Sequence, residues 1–432
     1  MYDTLRKQTR QGVINLIESA DFKKQKHYDV RILAIESEHD ISAEMERIGV
    51  FPEGIDIMKK KGIFHVILLK DLSSKQAVIV KQEALSKGGE AAVSAKVASL
   101  TGDITDVLLM GTTEQLLRIS KGLMRQYFDL PEIGKKISQV LSAKEASGDK
   151  TLRLGRHSLI LGAKTYVMGI LNITPDSFSD GGEHETTDLA VEHAWSLVKQ
   201  GADIIDIGGE STRPGSDPVP TEEEIRRVIP VIKRLGQDFP IPISVDTYKS
   251  EIAEAAIAAG AHMINDISSL SMDPRLGEVV AKAGVPIVLM HMKGRPKDMQ
   301  KNPEYESVVS EVIKSLLTAA DEAKNYGISN DNILIDPGIG FGKTRIHNLE
   351  LLRKLKELKN LGYPVVLGTS RKAFIGKTLG LSTGDRIEGT AATVALAVAS
   401  GIDIVRVHDV KYMARVARMA DAIVRGGSIR EG

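Results

Sequence analysis

From Tyr166 to the end of the chain, eight short apolar runs alternate with longer amphipathic stretches, a rhythm that few folds satisfy. The runs are YVMGILNI, DIIDIGG, IPISVDT, HMINDIS, PIVLMHM, ILIDPG, PVVLGT and DIVRVHD. Each is short and rich in Val and Ile, so each reads as a strand. Stretches such as LAVEHAWSLVKQG, EEEIRRVIPVIKRL and KSEIAEAAIAAG lie between them, with apolar residues at helical spacing. Apolar strands joined by helices imply a parallel sheet covered by those helices. Eight units in about 270 residues imply closure into a (β/α)8 barrel, the TIM-barrel arrangement. Just ahead of the first unit, LRLGRHSLILGAK has two β patterns around Gly-Arg-His and reads as a hairpin under the barrel floor.

The chain holds 432 residues, enough for a second domain before the barrel. We expect a small α/β domain of ferredoxin-like arrangement over 1–141, a polar linker over 142–151 (SAKEASGDKT) and the barrel over 152–432. In the first part RILAIES, FHVILLK, AVIVKQ and TDVLLMGT read as strands, and ISAEMERIG and TEQLLRISKGLMRQYF as helices. GTTEQL and KGGEAAV contain Gly but match neither a P-loop nor a G-x-G-x-x-G pattern, and read as turns and caps.

Composition removes several function classes. Lys plus Arg and Asp plus Glu both number 57, so the net charge is zero and nothing favours nucleic acid or an anionic membrane. There are no cysteines. Disulfides, thiolate metal sites and a Cys nucleophile are thereby excluded, which fits a reducing, cytoplasmic setting. No apolar run is long enough to span a bilayer, and the charged N-terminus is not a signal peptide.

In a barrel of this type the chemistry sits at the C-terminal ends of the strands. Those ends carry Asn172, Glu210, Asp246, Asn265 with Asp266, His291, Asp336, Ser370 with Arg371 and Lys372, and Arg406 with His408. The loop after the first run, NITPDSFSDGG, is rich in hard oxygen donors suited to Mg²⁺. The loop after the second, ESTRPGS, offers Arg213 as a phosphate clamp. Asp246 has two readings, a buried acceptor for a ligand's N–H groups or a cap of the following helix. Alternation puts Arg406 and His408 on one face, which favours an anion site over a core histidine. DPGIGFG sets a tight turn that carries Asp336 and Phe341. These groups describe a ligand with an anionic end near Asn172, Arg406 and His408, and a flat, N–H-rich end near Asp246, Asn265 and Asp336. No Ser–His–Asp triad or zinc-type His cluster accompanies them, so positioning and electrostatics carry the chemistry.

The set NITPDSFSDGG, IGGESTRPGS, SVDTYK, INDIS, DPGIGFGKT, TSRKAFIG and RVHDV, in this order over about residues 152–425, resembles the dihydropteroate synthases. The resemblance implies condensation of 6-hydroxymethyl-7,8-dihydropterin pyrophosphate with p-aminobenzoate, Mg²⁺ as cofactor, small molecules as the only substrates and a homodimer built through late helices in 386–425. It also implies roles. Asp246, Asn265, Met290, Asp336, Phe341 and Lys372 would bind the pterin. Asn172, Arg213, Arg406 and His408 would bind pyrophosphate, with Asn172 and Asp180 on Mg²⁺. Phe178, Thr212, Arg213, Pro214 and Lys372 would hold the p-aminobenzoate. Asp246, Lys372, Arg406 and His408 would carry catalysis. One departure is Ala373, where many relatives carry a Ser that touches the aminobenzoate carboxylate; backbone N–H groups at that helix start could replace it. Two rival readings are a methyltetrahydrofolate–corrinoid methyltransferase, which would need neither the NITPDSF loop nor a pyrophosphate site, and a non-catalytic pterin-binding regulator.

Overall fold

The computed structural model describes residues 30–98, 104–145, 150–173, 183–211, 216–236, 238–382 and 384–425. The chain divides into two compact units, Met1–Leu123 and Met124–Gly432. The division falls earlier than the expected linker. The helix Leu130–Glu145 covers the first positions of that segment, and a strand starts at Lys150.

In the first unit, strands β1 (Phe64–Ser73), β2 (Glu90–Val93) and β3 (Ile104–Thr112) form an antiparallel sheet in the order β1-β3-β2. The helices Ser74–Ser86 and Thr113–Leu123 bury Ala77, Val80, Ala84, Leu116, Ile119 and Leu123. Three expectations change here. AVIVKQ lies inside the helix Ser74–Ser86, not in a strand. Its buried positions Ala77, Val80 and Ala84 repeat every three to four residues, and Ser73 with Gln76 forms a capping box at its start. RILAIES forms no strand: Ile32 is fully exposed, and Ser37 already caps the helix Glu38–Arg47 through a bond from Asp40 N. EAAV, read as part of a turn, is β2. Short runs of β-branched residues are ambiguous between the two periods, and pairing decides them.

In the second unit, β4 (Lys150–Leu154) and β5 (His157–Leu161) form the expected hairpin, turning at Gly155 and Arg156. Eight parallel strands follow: β6 (Tyr166–Asn172), β7 (Ile204–Gly208), β8 (Ile243–Asp246), β9 (Met263–Asp266), β10 (Ile287–Met290), β11 (Ile333–Asp336), β12 (Val366–Gly368) and β13 (Ile404–Val407). Neighbours pair in the order β11-β10-β9-β8-β7-β6-β13-β12, and the bridge Ile335↔Val365 joins the two ends into a ring. All eight apolar runs are strands of this TIM barrel.

Alternation sorts each strand into two faces. Residues such as Ile205, Ile207, Val245, Ile264, Leu289, Ile335, Leu367 and Val405 point outward into the core beneath the helices. Met168, Ile204, Met263, Val288, Leu334, Val366 and Ile404 point inward and pack on Leu152, Leu154, Leu159 and Leu161 of the hairpin. The hairpin therefore closes the floor with apolar side chains. The next inward residue along each strand, two positions on, faces the open end.

Candidate active site

Two residues above that floor, six strands bring Asp206, Asp246, Asn265, Met290, Asp336 and Arg406 to the barrel interior, five of them buried. Arg406 organises the set. Its Nε donates to Asp206 Oδ2 at 2.6 Å and its Nη2 to Asp246 Oδ2 at 2.7 Å. Asn265 Nδ2 donates to the same Asp206 oxygen at 3.0 Å. Two carboxylates on one guanidinium leave a residual negative charge. Burial, offset by Arg406 and reinforced by Asp206, pushes the Asp246 carboxyl up to about 7. Asp206 Oδ1, Asp246 Oδ1 and Ser244 Oγ are buried without a hydrogen-bond partner among the described residues. Orphaned buried oxygens are rare, and a ligand or water with N–H or O–H groups satisfies them.

Across the barrel, Asp336 Oδ1 accepts from Gly338 N at 2.7 Å. Burial raises its pKa, opposed by the Gly338 N–H bond and then by Lys372, Arg406 and Lys343. Lys372 reaches in from the segment after β12. Its Nζ lies 4.1 Å from the centre of the Phe341 ring, a cation–π distance, and donates to the Ile339 carbonyl. Burial pushes the Lys372 amine down to about 7, with Asp336 opposing. Met290, on β10, stands beside Asp336 as its register partner and adds an apolar side chain to this side of the interior. The interior thus carries carboxylate acceptors on β8 and β11 and a cation over an aromatic face.

The upper rim is more open. Asn172 Oδ1 and Asp246 Oδ2 flank Gly208, 3.7 and 3.9 Å from where a Cβ would stand. His408 Nδ1 lies 3.1 Å from Ser370 Oγ, which also accepts from the His408 backbone N–H at 3.2 Å. The His408 imidazole and the Arg406 guanidinium at one mouth suit an anion such as a phosphate, and the partly exposed Asn172 side-chain oxygen beside them suits a cation that would accompany it.

Residues 168–408 match the family described as pterin binding enzyme. The chain belongs to this family, as a dihydropteroate synthase. A dihydropteroate synthase of Clostridium beijerinckii is 48% identical over 275 residues, which cover 63% of this chain and all of that one. The solved Xanthomonas albilineans dihydropteroate synthase with 4-aminobenzoic acid is 46% identical, with a TM-score of 0.60 over 64% of this chain and 98% of that one. The Yersinia pestis dihydropteroate synthase in complex with a sulfonamide drug is 42% identical, with a TM-score of 0.61 over 64% of this chain and all of that one.

Membership makes the chain a transferase, and the shared part is the barrel. Of the residues expected at a dihydropteroate synthase site, Asp246, Asn265, Met290, Asp336, Phe341, Lys372, Arg406, His408 and Asn172 surround the barrel mouth. Phe178, Asp180, Thr212, Arg213 and Pro214 lie outside the described residues. Three strand-end groups serve other ends. Asp266 points outward and accepts from Ser268 N and Leu270 N at 2.7 and 2.6 Å. Arg371 makes a two-pronged ion pair with Asp409 at 2.8 and 2.5 Å. Glu210 accepts from Lys249 Nζ at 2.6 Å and Val219 N at 3.1 Å, which ties strand end to loop stem. Asp206 is the site residue that strand-end reasoning misses. Its signal is present, because it stands two residues after Ile204 and so shares the inward face of β7.

Proposed function

We propose that the barrel mouth condenses 6-hydroxymethyl-7,8-dihydropterin pyrophosphate with p-aminobenzoate, giving 7,8-dihydropteroate and pyrophosphate. The observation that carries the assignment of residues is the buried, unpartnered Asp246 Oδ1 beside the Arg406 ion pair. Burying a charge without donors is costly, and a pterin edge supplies N–H donors at that depth.

On this reading Asp336 accepts from the pterin's amino and ring N–H groups, while Asp246 and Asn265 grip the opposite edge. Lys372 donates to the ring carbonyl and N5 side. Met290 and Phe341 sandwich the ring and exclude water. Arg406, His408, Asn172 and Arg213 hold the pyrophosphate. Phe178, Thr212, Arg213 and Pro214, with Lys372, take the p-aminobenzoate.

Mg²⁺ belongs to the same proposal. Asn172 is a hard oxygen donor at the anionic end, and Mg²⁺ commonly takes one or two protein oxygens with the rest from phosphate and water. Asn172 with Asp180 would hold it, and it would neutralise charge on the leaving group. The chain's own residues do the rest. Arg406 and His408 stabilise the departing pyrophosphate as the methylene C–O bond breaks. Asp246 balances the positive charge left on the pterin methylene. The aniline nitrogen, oriented by the aminobenzoate site, forms the C–N bond and then sheds its proton. The substitution has dissociative character and needs no covalent enzyme intermediate.

A sulfanilamide copies the aniline and places a polar sulfonyl where p-aminobenzoate has its carboxylate. Sulfonamides are therefore expected to inhibit, with p-aminobenzoate relieving the inhibition competitively in steady-state assays. Inhibition that excess p-aminobenzoate cannot relieve would contradict the aminobenzoate site.

A cytoplasmic homodimer completes the proposal. No helix among the described residues is long and apolar enough to cross a membrane. The helices Ile387–Ala399 and Val410–Arg425 expose Leu396, Tyr412, Met419 and Ile423, an apolar stripe suited to a partner helix pair. The proposed small domain over 1–141 supplies none of the residues named above. A chain starting near Lys150 is expected to fold, keep turnover and retain dimer mass in light scattering. A folded but inactive truncation would mean that residues before Lys150 contribute to the site.

A further inference from the structure

Lys343 follows the turn that carries Asp336 and Phe341, and nothing proposed so far uses it. It is 2% exposed. Its Nζ lies 2.8 Å from His291 Nδ1, 2.9 Å from Gly338 O, 3.0 Å from Phe341 O and 3.3 Å from His291 O. Three partners are carbonyl oxygens, the fourth is a ring nitrogen that accepts in one tautomer, and none is a carboxylate. An ammonium has three protons to give and no lone pair. It fits this cage, and His291 then accepts at Nδ1 with its own proton on Nε2.

The four partners come from two segments that flank Asp336. His291 follows Met290 at the end of β10. Gly338 and Phe341 belong to the turn after β11. The chain of bonds continues inward: Lys343 holds the Gly338 carbonyl, and the Gly338 N–H donates to Asp336 Oδ1. The His291 N–H donates to the Asp336 carbonyl at 3.0 Å. Gly338 has a φ of 63°, and a Cβ there would collide with the His291 carbonyl, so the turn lies pressed against the strand end. Without a central donor, the carbonyls of His291, Gly338 and Phe341 would crowd together, oxygen against oxygen.

We propose that Lys343 is a positioning residue for the pterin: a fixed ammonium that locks the turn, sets the Asp336 carboxylate and the Phe341 ring against Met290, and adds positive charge behind Asp336. The proposal rests on the pterin reading above and names a residue that does not touch the ligand. Its charge has a second consequence. Burial raises the Asp336 carboxyl, and the cations opposing that rise are Lys372, Arg406 and Lys343. Removing one of the three raises it further, so Asp336 loses its charge, and its pterin, at a higher pH. Burial also pulls the Lys343 ammonium well below its ordinary range, with Asp336 pulling it back; the four acceptors replace the water it has lost.

The test uses the full chain with Lys343→Met and Lys343→Ala. Calorimetry with 6-hydroxymethylpterin, titrated over pH, gives affinity and its acid limb; steady-state kinetics at saturating pterin substrate gives KM for p-aminobenzoate. Pterin affinity is expected to fall about tenfold or more, with the acid limb moved to higher pH and KM for p-aminobenzoate nearly unchanged. Ammonium or methylammonium chloride, added to Lys343→Ala, is expected to restore part of the pterin affinity by refilling the cage. Unchanged affinity and acid limb in a Lys343→Met protein that melts as the parent does would overturn the proposal. Should both variants unfold, failure of ammonium to restore either folding or affinity would overturn it too. A parent chain that binds no pterin would instead overturn the reading on which this one rests.

Discussion

Replacing Asp336 by Ala is expected to remove pterin affinity while leaving a folded barrel. The pterin's amino and ring N–H groups would lose a charged acceptor, at about 1.5–3 kcal/mol for each charge-assisted bond. Two such bonds correspond to roughly two to four orders of magnitude in affinity. The fold should survive because Asp336 forms no ion pair among the described residues, and its one internal side-chain bond, to Gly338 N, belongs to a turn already held by Lys343. Asp336→Asn provides the control: its carbonyl can still accept from Gly338 N, yet it has no charge and too few lone pairs for both ligand donors. Calorimetry should show no measurable binding for the Ala variant and weak binding for the Asn variant. Affinity equal to the parent's in either would remove Asp336 from the pterin site.

Arg406→Met should have the largest effect on the protein itself. The guanidinium holds Asp206 and Asp246 at 2.6 and 2.7 Å, and both carboxylates are buried. Removing the cation strands two like charges in the barrel interior, a loss of about 3–5 kcal/mol. Turnover should vanish as well, because the proposed pyrophosphate site loses its guanidinium. The pH dependence has a definite sign. Asp246 already sits at about 7 in the folded chain, against 3.8 for an ordinary aspartate carboxyl in water. A carboxyl raised on folding favours the native state below its unfolded pKa, and that contribution is lost as pH rises through the folded pKa. Without Arg406 the folded pKa rises further. The deficit of the variant should therefore be smallest near the acid end of this range and grow through neutrality. Urea unfolding of both proteins at about pH 4.5, 6 and 7.5 measures this. A deficit that shrinks as pH rises would contradict the buried triad.

The barrel was legible because its rule is simple. Eight apolar strands between amphipathic helices leave one closed arrangement, and alternation then assigns every inward residue from a single reference. That logic reached Asp246, Asn265, Asp336 and Arg406. It also reaches Asp206, which a search of strand ends misses because it stands inside an apolar run rather than at its end. Side-chain direction separates the remaining strand-end groups. Glu210, Asp266 and Arg371 also stand at strand ends, but Asp266 alternates outward, and Glu210 and Arg371 are taken by Lys249 and Asp409. No sequence pattern announces such pairings, because the partners are distant along the chain. The first unit was harder for another reason. AVIVKQ has the β-branched content of a strand, yet its burial at Ala77, Val80 and Ala84 and the Ser73 cap commit it to a helix. Local preference is weak beside the packing that a short element finds.

In the proposed reaction the barrel mouth joins a pterin pyrophosphate to p-aminobenzoate with Mg²⁺. The most direct measurement is to incubate the full chain with both substrates and Mg²⁺, following pyrophosphate release and the mass of the pterin product together. Equal amounts of pyrophosphate and 7,8-dihydropteroate are expected, neither formed when p-aminobenzoate is omitted, and little of either in excess chelator. Pterin binding without product, or pyrophosphate release that ignores p-aminobenzoate, would contradict it.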